Sequence, residues 1–473
     1  MNKTLLATLL ATLLATSFIM TGCNNNKNTT QPTAVSEVKF AQFNAALAVD
    51  NDPTETYQRW VEYMTIPVEK QNELIAAWKN DTANDTDHLL AERIIQIRNI
   101  AAIIQKNRPD VLLLNEFNNN GTVDDVRSLN GFQQNYLAVS QSLNSVDGGN
   151  MQQPIVYPYA ENYATNTGLP TGLDLDNNGQ TADANDAQGF GFYHGHYAFV
   201  LLSKFEIDMA NTRTFQNFKR KDLPNVVKPI IEVCNDSKKP IPDGMVCGQA
   251  WYSDAEWNML RLSSKNHVDV PIIIPTPSGN KTINVLLAHP TPSGFDTVTH
   301  NNKYRNSDEN AFWTYYINGE SSLYDDNGTK GGFAGEHFVV MGDLNADNVV
   351  GTQINAPFDG IIQLLANEKV NQSVAQVGQP FTPLSSGGLE SKNPANNWNP
   401  VHPNPEIRTS VFGSRADYAV PSASLTVLNT GIYWPAEGEE GRLLFNDTRI
   451  GQYGDSKEVS SDHRFVWSTV SVK

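Results

Sequence analysis

The chain has 473 residues, with 34 Lys+Arg against 51 Asp+Glu, for a formal net charge of -17. Its hydrophobic content of 40%, with 8 Trp, 16 Tyr and 20 Phe, excludes wholesale disorder, because such a chain buries enough apolar surface to offset the entropy of ordering. The acidic balance argues against a protein that holds nucleic acid by phosphate neutralisation alone, which needs a clustered excess of Lys and Arg, and leaves a metal-using nuclease open.

Residues 1–22 read as a targeting signal and are set aside from the fold. Lys3 supplies the positive start, LLAT occurs three times from Leu5 to Thr16, and the apolar run to Met20 is shorter than the ~20 residues a membrane-spanning helix needs. Met20-Thr21-Gly22-Cys23 resembles the lipobox of bacterial lipoproteins, which implies cleavage before Cys23 and a diacylglyceryl group on its sulfur. An ordinary secretory signal with a chance Cys at its end is the alternative. Residues 23–37, beginning Cys23-Asn24-Asn25-Asn26-Lys27-Asn28, have little to bury and are expected to be a polar tether. The expected location is therefore the bacterial cell envelope, outer membrane or cell surface, with the membrane met through the lipid anchor only.

Residues 38–473 carry no linker rich enough to divide them and are expected to form one catalytic domain. Val38–Asn44 alternates apolar and polar residues and reads as a strand with Asn44 at its tip. Asp87 is expected to cap a helix carrying Leu90, Ile94, Ile97, Ala101 and Ile104, which Arg108-Pro109 stops. Val111–Leu114 is a continuous apolar run of buried-strand type that ends in Asn115-Glu116.

The stretch from Glu116 to Tyr197 is rich in Asn, Asp and Gly, and is expected to be a long binding loop or lid. Within it, Asp174-x-Asp176-x-Asn178-Gly179 matches the first half of an EF-hand loop, but position twelve is Asn185 where a bidentate Glu is required. Asp183 and Asp186 would complete an irregular structural Ca²⁺ loop; a plain acidic turn held by Asx hydrogen bonds is the rival. Next, Arg213, Lys219, Arg220 and Lys221 fall within nine positions and are expected to form a phosphate-holding arm or, equally, a solvated strand face. Cys234 and Cys247 flank the turn-rich Pro240–Gly244, and outside the reducing cytosol a local disulfide is expected, against two independent buried thiols.

The apolar-run-then-polar signature recurs. Ile283–Ala288 leads into His289, Phe338–Gly342 into Asp343 and Asn345, and Ser460-Ser461-Asp462-His463 precedes Phe465-Val466-Trp467. Arg305 and Asn306 follow the His289-Pro290-Thr291-Pro292 strand end as further candidates for substrate contact, with Asp308 and Glu309 alternatively charging the start of a helix over 310–317. His267, His300, His337 and His402 have no such context and are expected in loops or at the surface. Ionised carboxylates at the rim of a hydrophobic core cost too much to recur by accident, unless a cation or ligand compensates them. Carboxylate and amide oxygens with few His and no Cys suit Mg²⁺ or Mn²⁺ better than Zn²⁺, and a hard cation suits phosphate oxygens. His289 and His463 would supply the base and the charge-stabilising donor of a displacement at phosphorus. The chain has no Gly-x-Ser-x-Gly elbow, His-Glu-x-x-His helix, Walker loop or Gly-x-Gly-x-x-Gly fingerprint.

Taken in order, Asn44, Pro109-Asp110…Asn115-Glu116, His289-Pro290, Gly342-Asp343-Leu344-Asn345-Ala346-Asp347, Arg415-Ala416-Asp417-Tyr418 and Ser461-Asp462-His463 resemble the endonuclease/exonuclease/phosphatase superfamily. The resemblance runs from about Val38 to Val472 and implies an α/β fold, a four-layer sandwich of two packed mixed β-sheets flanked by helices, with the site at one end. It implies Glu116 as principal metal ligand, assisted by Asn44 and Asp462. Asp343 and Asn345 would orient or activate the water and hold the phosphate, His463 would act as base or phosphate contact oriented by Asp417, and His289 would face the phosphoryl oxygens. The departures are Asn115 where Gln is common and Ala416 where a β-branched residue is common; neither removes a ligand. Arg213, Lys219, Arg305 and Asn306 remain the candidate substrate contacts. The implied activity is metal-dependent phosphoester hydrolysis of a small or exposed substrate, with an extracellular endonuclease and a catalytically silent binding lipoprotein as alternatives, and with no protein partner evident.

Overall fold

A computed structural model describes residues 33–48, 55–349, 359–391, 402–451 and 457–473. The targeting signal, Cys23 and most of the polar tether lie outside these. Among the described residues no helix is long and apolar enough to cross a membrane.

Among the described residues twelve strands form two six-stranded mixed sheets. In chain order they are β1 Glu37–Asn44, β2 Val111–Asn115, β3 Tyr159–Asn162, β4 Phe199–Ser203, β5 Glu206–Ile207, β6 Arg213–Thr214, β7 His267–Thr276, β8 Gly279–Ala288, β9 Phe338–Asp343, β10 Asp417–Pro421, β11 Val427–Tyr433 and β12 Phe465–Ser471. The first sheet runs β11-β12-β1-β2-β4-β3 and the second β10-β9-β8-β7-β5, with β6 paired to β7. Among the described residues only the central strand pairs β1/β2 and β8/β9 are parallel.

The continuous apolar runs exist because both faces of each central strand are covered. In β2, Val111 and Leu113 face the second sheet and pack with Val270, Val285 and Leu287, whereas Leu112 and Leu114 face outward against Ile94, Ile97, Ile100 and Ile104 of the helix Asp85–Asn107. That helix is capped by Asn84, whose side chain accepts the Asp87 N–H, one turn earlier than the Asp87 cap the sequence suggests. On the far face of the second sheet, Phe312, Trp313 and Tyr316 of the helix Asn301–Ile317 join the same core as Leu286 and Val340. The result is the four-layer α/β sandwich, with residues Ala34–Lys473 in one compact unit.

The helix expected over 310–317 begins nine residues earlier, at Asn301. Asp308 and Glu309 therefore sit inside it, and Glu309 is fully buried. Its polar N-terminal half hid it, because Arg305, Asn306, Asp308 and Glu309 face inward to bonds with distant loops and break the apolar periodicity. His267 and His402 are buried as well, against the surface or loop expectation. The Cys234–Cys247 disulfide is formed, with Cα atoms 5.6 Å apart.

Topology puts the chemistry at one end. Asn44, Glu116, His289 and Asp343 lie at the C-terminal ends of β1, β2, β8 and β9, while Asp417 and His463 lie at the starts of β10 and β12. The last two strands run antiparallel to β9 and β1, so their starts share that end, and Asp417 pairs directly with Asp343.

Candidate active site

The side chains at this end converge on the Asp343 carboxylate. Asn44 Nδ2 donates to Asp343 Oδ2 and to Glu116 Oε1, each at 2.9 Å, so one amide bridges carboxylates from the two sheets. His289 Nε2 lies 3.5 Å and His463 Nε2 3.6 Å from the same Oδ2. His463 Nδ1 is 2.9 Å from Asp417 Oδ2, which also accepts Thr409 Oγ1–H at 2.7 Å. Asp417 Oδ1 is buried with no hydrogen-bond partner among the described residues.

Local backbone conformations aim these groups. Glu116 and Asn345 are left-handed, with φ of 56° and 50°, a state that costs a non-glycine residue of order 1–3 kcal/mol and persists where surrounding bonds impose it. Phe117 N–H bonds Ala198 O beyond Glu116, and Asn345 N–H bonds Asp343 Oδ1 in an Asx turn. Asn345 Nδ2 donates to Pro290 O at 3.0 Å, tying the ends of β8 and β9 together. Gly342 allows those strands to meet there, since a Cβ at this position would lie 2.2 Å from Ala288 O. Ser461 Oγ donates to Asn44 O and accepts His463 N–H, which locks β1 to the turn before β12.

The two imidazoles are driven apart electrostatically. Burial alone would push His463 down, but the Asp417, Asp343 and Asp462 carboxylates outweigh it and hold the ring well above the usual histidine range, as imidazolium. His289 is pushed well below that range, first by burial and then by the charges of Lys265 and His463. Burial pushes the Asp343 carboxyl up to about 6, with His463 opposing and Asp417 adding to the rise.

Ligand atoms of Glu116, His289 and Asp343 lie within 4.8 Å of one another, as do those of Asp343, Asp417 and His463. Neither group includes Asp462, which is half-buried one residue before His463. The donor set fits Mg²⁺ or Mn²⁺: two carboxylates are held side by side by a single neutral amide, an arrangement that a cation would compensate and that lacks the thiolates Zn²⁺ favours.

The four candidate substrate contacts are not brought into this cluster as ligand-facing groups. Arg213 bonds Asp325, Tyr316 Oη and the carbonyls of Gly332 and Thr329. Lys219 Nζ donates to Met259 O. Arg305 grips the carbonyls of Leu262, Gln188 and Arg261. Asn306 lies beneath the site, its Nδ2 donating to the carbonyls of Thr291, Leu344 and Asn345, so it supports the Asn345 turn from behind. Arg213 is thus paired with an acid inside the fold, and Lys219 and Arg305 donate to backbone carbonyls.

Of the long stretch after Glu116, the turn at Tyr197 borders the site: Tyr197 is left-handed with φ 59°, its N–H is held by Asn118 Oδ1, and its carbonyl faces His289. Asp174, Asp176 and Asp186 do come within 4.8 Å of one another, but Asp183 turns instead to Asn178 and to the Asn185 N–H.

Sequence reasoning passed over Lys265 and gave Glu309 only the charging of a helix start. Lys265 is 5% exposed, and its Nζ donates to Pro290 O at 3.5 Å, the same carbonyl that Asn345 engages. Glu309 accepts Ser264 N–H and Thr291 N–H at 2.5 and 2.6 Å, clamping the Lys265 loop to the His289 turn. Lys265 sits in Ser263-Ser264-Lys265-Asn266, a stretch that reads as any polar loop.

The family model described as Endonuclease/Exonuclease/phosphatase family matches residues 90–463. Among curated proteins no sequence matches the chain. Similar solved structures include an endonuclease/exonuclease/phosphatase from Beutenbergia cavernae, 12% identical, covering 92% of this chain and 72% of that one at a TM-score of 0.42. Another is from Bacteroides vulgatus, 12% identical over 93% of this chain and 100% of that one, with a TM-score of 0.37. A third is a mutant of beta toxin from Staphylococcus aureus with bound magnesium ions, 12% identical over 92% of this chain and 99% of that one, TM-score 0.37. At such identities and scores these likenesses assign no residue and no substrate.

Proposed function

The chain belongs to the Endonuclease/Exonuclease/phosphatase family, and from that membership and its donor set we propose that it is a divalent-metal-dependent phosphoester hydrolase anchored at the bacterial cell envelope. The observation that carries the reading is the bridge from Asn44 to both Glu116 and Asp343, with two histidines around one carboxylate oxygen.

Glu116, with Asn44 and Asp462, would hold Mg²⁺ or Mn²⁺. A bound cation polarises the phosphoryl group and makes a coordinated water more acidic. Asp343 and Asn345, tied in one turn, orient the attacking water and the phosphate; within the Asp343/His463 pair the carboxylate takes up the water proton, and protonated His463 contacts the phosphate. Asp417 fixes the His463 ring through Nδ1, so that Nε2 faces the reaction centre. Neutral His289 keeps an N–H to donate to the charge that develops on the phosphoryl oxygens.

The envelope location is supported by the lipobox-like Met20–Cys23, by the polar stretch after it, and by the Cys234–Cys247 disulfide, a bond that persists outside the reducing cytosol. The substrate is a small or exposed phosphoester, since the basic residues that would make an extended nucleic-acid groove are bonded within the fold.

The test is hydrolysis by the purified chain with Mg²⁺, Mn²⁺, Ca²⁺ or EDTA, offered a monoester, a bis-aryl phosphodiester, phytate and plasmid DNA side by side. Turnover that vanishes with EDTA and in Glu116→Ala establishes the reading. Fastest cleavage of plasmid DNA makes it an endonuclease, and no turnover with any cation makes it a silent binding lipoprotein.

A further inference from the structure

We infer that Lys265 is a ligand for the phosphoryl oxygens of the substrate, an anion-binding cation built into the site from the loop before β7. The inference rests on the phosphoester reading above.

A buried ammonium has three donors to satisfy and is costly to leave short of partners. Lys265 is 5% exposed, yet its one bond among the described residues is to Pro290 O at 3.5 Å, the outer limit of a hydrogen bond. No carboxylate of the described residues comes within ion-pair distance of Nζ. Its nearest acids are occupied otherwise: Glu309 by the two backbone N–H groups it clamps, and Asp343 by Asn44 and Asn345. Two neighbouring cations are better met: buried Arg220 has Asp308 and Asn301, and half-buried Arg305 has three carbonyls.

The loop is also held firmly enough to present the charge. Glu309 fixes Ser264, the Lys265 carbonyl accepts Asn166 N–H at 2.9 Å, and His267 closes the loop through Ser263 Oγ at 2.6 Å. The ammonium and the Asn345 amide meet at the Pro290 carbonyl, next to His289. Burial lowers the Lys265 pKa, and Glu309, Glu116 and Asp343 oppose that fall. A tetrahedral phosphoryl group reaching Glu116's cation would complete the two missing hydrogen bonds of Lys265.

The test is isothermal titration of inorganic phosphate, with Mg²⁺ present, into the full chain and its Lys265→Met and Glu116→Ala variants, alongside hydrolysis assays and thermal melts. Methionine keeps the length and removes the charge; Lys265→Gln, which keeps a donor for Pro290 O, replaces it if the first variant does not fold. Loss of a charge-assisted bond predicts about tenfold to hundredfold weaker phosphate binding and a similar fall in kcat/KM, with an unchanged melting midpoint. Phosphate binding in the neutral variant within threefold of the parent, or no phosphate binding by the parent, overturns the inference. Phosphate binding that depends on Lys265 in a chain that hydrolyses no ester would uphold the anion site and sink the hydrolase reading. Hydrolysis that needs Glu116 but ignores Lys265 would do the reverse.

Discussion

Two densely charged regions of this molecule look alike in composition and differ in how their charges are met. Along the helix Asn301–Ile317, Arg305, Asp308 and Glu309, together with Arg213 and Arg220 from the preceding segments, form a network in which the ions are matched by a named partner: Arg220 by Asp308 at 2.8 Å, Arg213 by Asp325 at 2.8 Å, Glu309 by two N–H groups. At the strand ends, Glu116, Asp343, Asp417 and the two histidines face one another instead. There Asp417 Oδ1 and His289 Nδ1 are buried without hydrogen-bond partners among the described residues, and Asp343 Oδ2, bonded to Asn44 Nδ2 at 2.9 Å, has the two His Nε2 atoms at 3.5 and 3.6 Å. Saturated charge holds a fold together; unsaturated charge on a rigid frame is what a ligand can complete.

That contrast can be broken from either side. The largest effect is expected from Glu116→Ala, which should lower phosphoester turnover about 10³- to 10⁴-fold while the melting temperature holds or rises, since a carboxylate crowded against Asp343 is removed. A melt that collapses along with activity would put Glu116 in the saturated class. His463→Ala should reduce kcat about 10²- to 10³-fold in the same assay, with Asp417→Asn falling between it and the parent chain because the ring remains but loses its orienting charge.

In the helix region the order of effects inverts. Arg220→Met leaves Asp308 uncompensated where the Arg side chain was 1% exposed, and should cost about 3–5 kcal/mol in denaturant unfolding, with activity per folded molecule unchanged. If activity falls instead while stability holds, Arg220 belongs to the substrate after all.

The smallest effect sharpens the boundary between the two regions, where His267 lies. Its Nε2 donates to Glu309 O at 2.8 Å, and its Nδ1 lies 2.6 Å from Ser263 Oγ. Burial pushes its pKa down to about 4, with Glu309 opposing. A depressed histidine pKa means that the unfolded chain binds more protons between about pH 6.5 and 4, so stability is fully present above pH 6.5 and is lost as pH falls through that window. The loss should reach about 3 kcal/mol and be reduced in His267→Gln, measured by thermal or denaturant melts at pH 7 and pH 4.5. An identical pH slope in the variant would show that His267 does not carry it.

The legible part of this protein was local. Each catalytic candidate stood next to a run of apolar residues, and that adjacency survives in the fold because a buried strand must end somewhere polar: Val111–Leu114 before Asn115-Glu116, Ile283–Ala288 before His289, Phe338–Gly342 before Asp343. Two sheets, their flanking helices and their functional end came from the family resemblance that these motifs carry. What misled was also local. Arg213 and Lys219 are close in sequence and basic, but Asp325 and the Met259 carbonyl, their partners, lie 112 and 40 residues away. Asn306 sits on a helix whose inward face is polar, so neither its helix nor its three carbonyl partners could be read from periodicity.

The sequence by itself therefore determined which side chains would reach the end of the sandwich, since backbone polarity and apolar run length are properties of neighbours in the chain. Which of those charges are spent on the fold and which are left for a ligand was decided only by tertiary structure. Lys265, which is buried, and Arg305, which is half-buried, are both basic and forty residues apart, and they differ because the fold brings three carbonyls to Arg305 and a single distant one to Lys265. The cost of a buried charge depends on partners that the chain supplies from far away, and no local pattern encodes them.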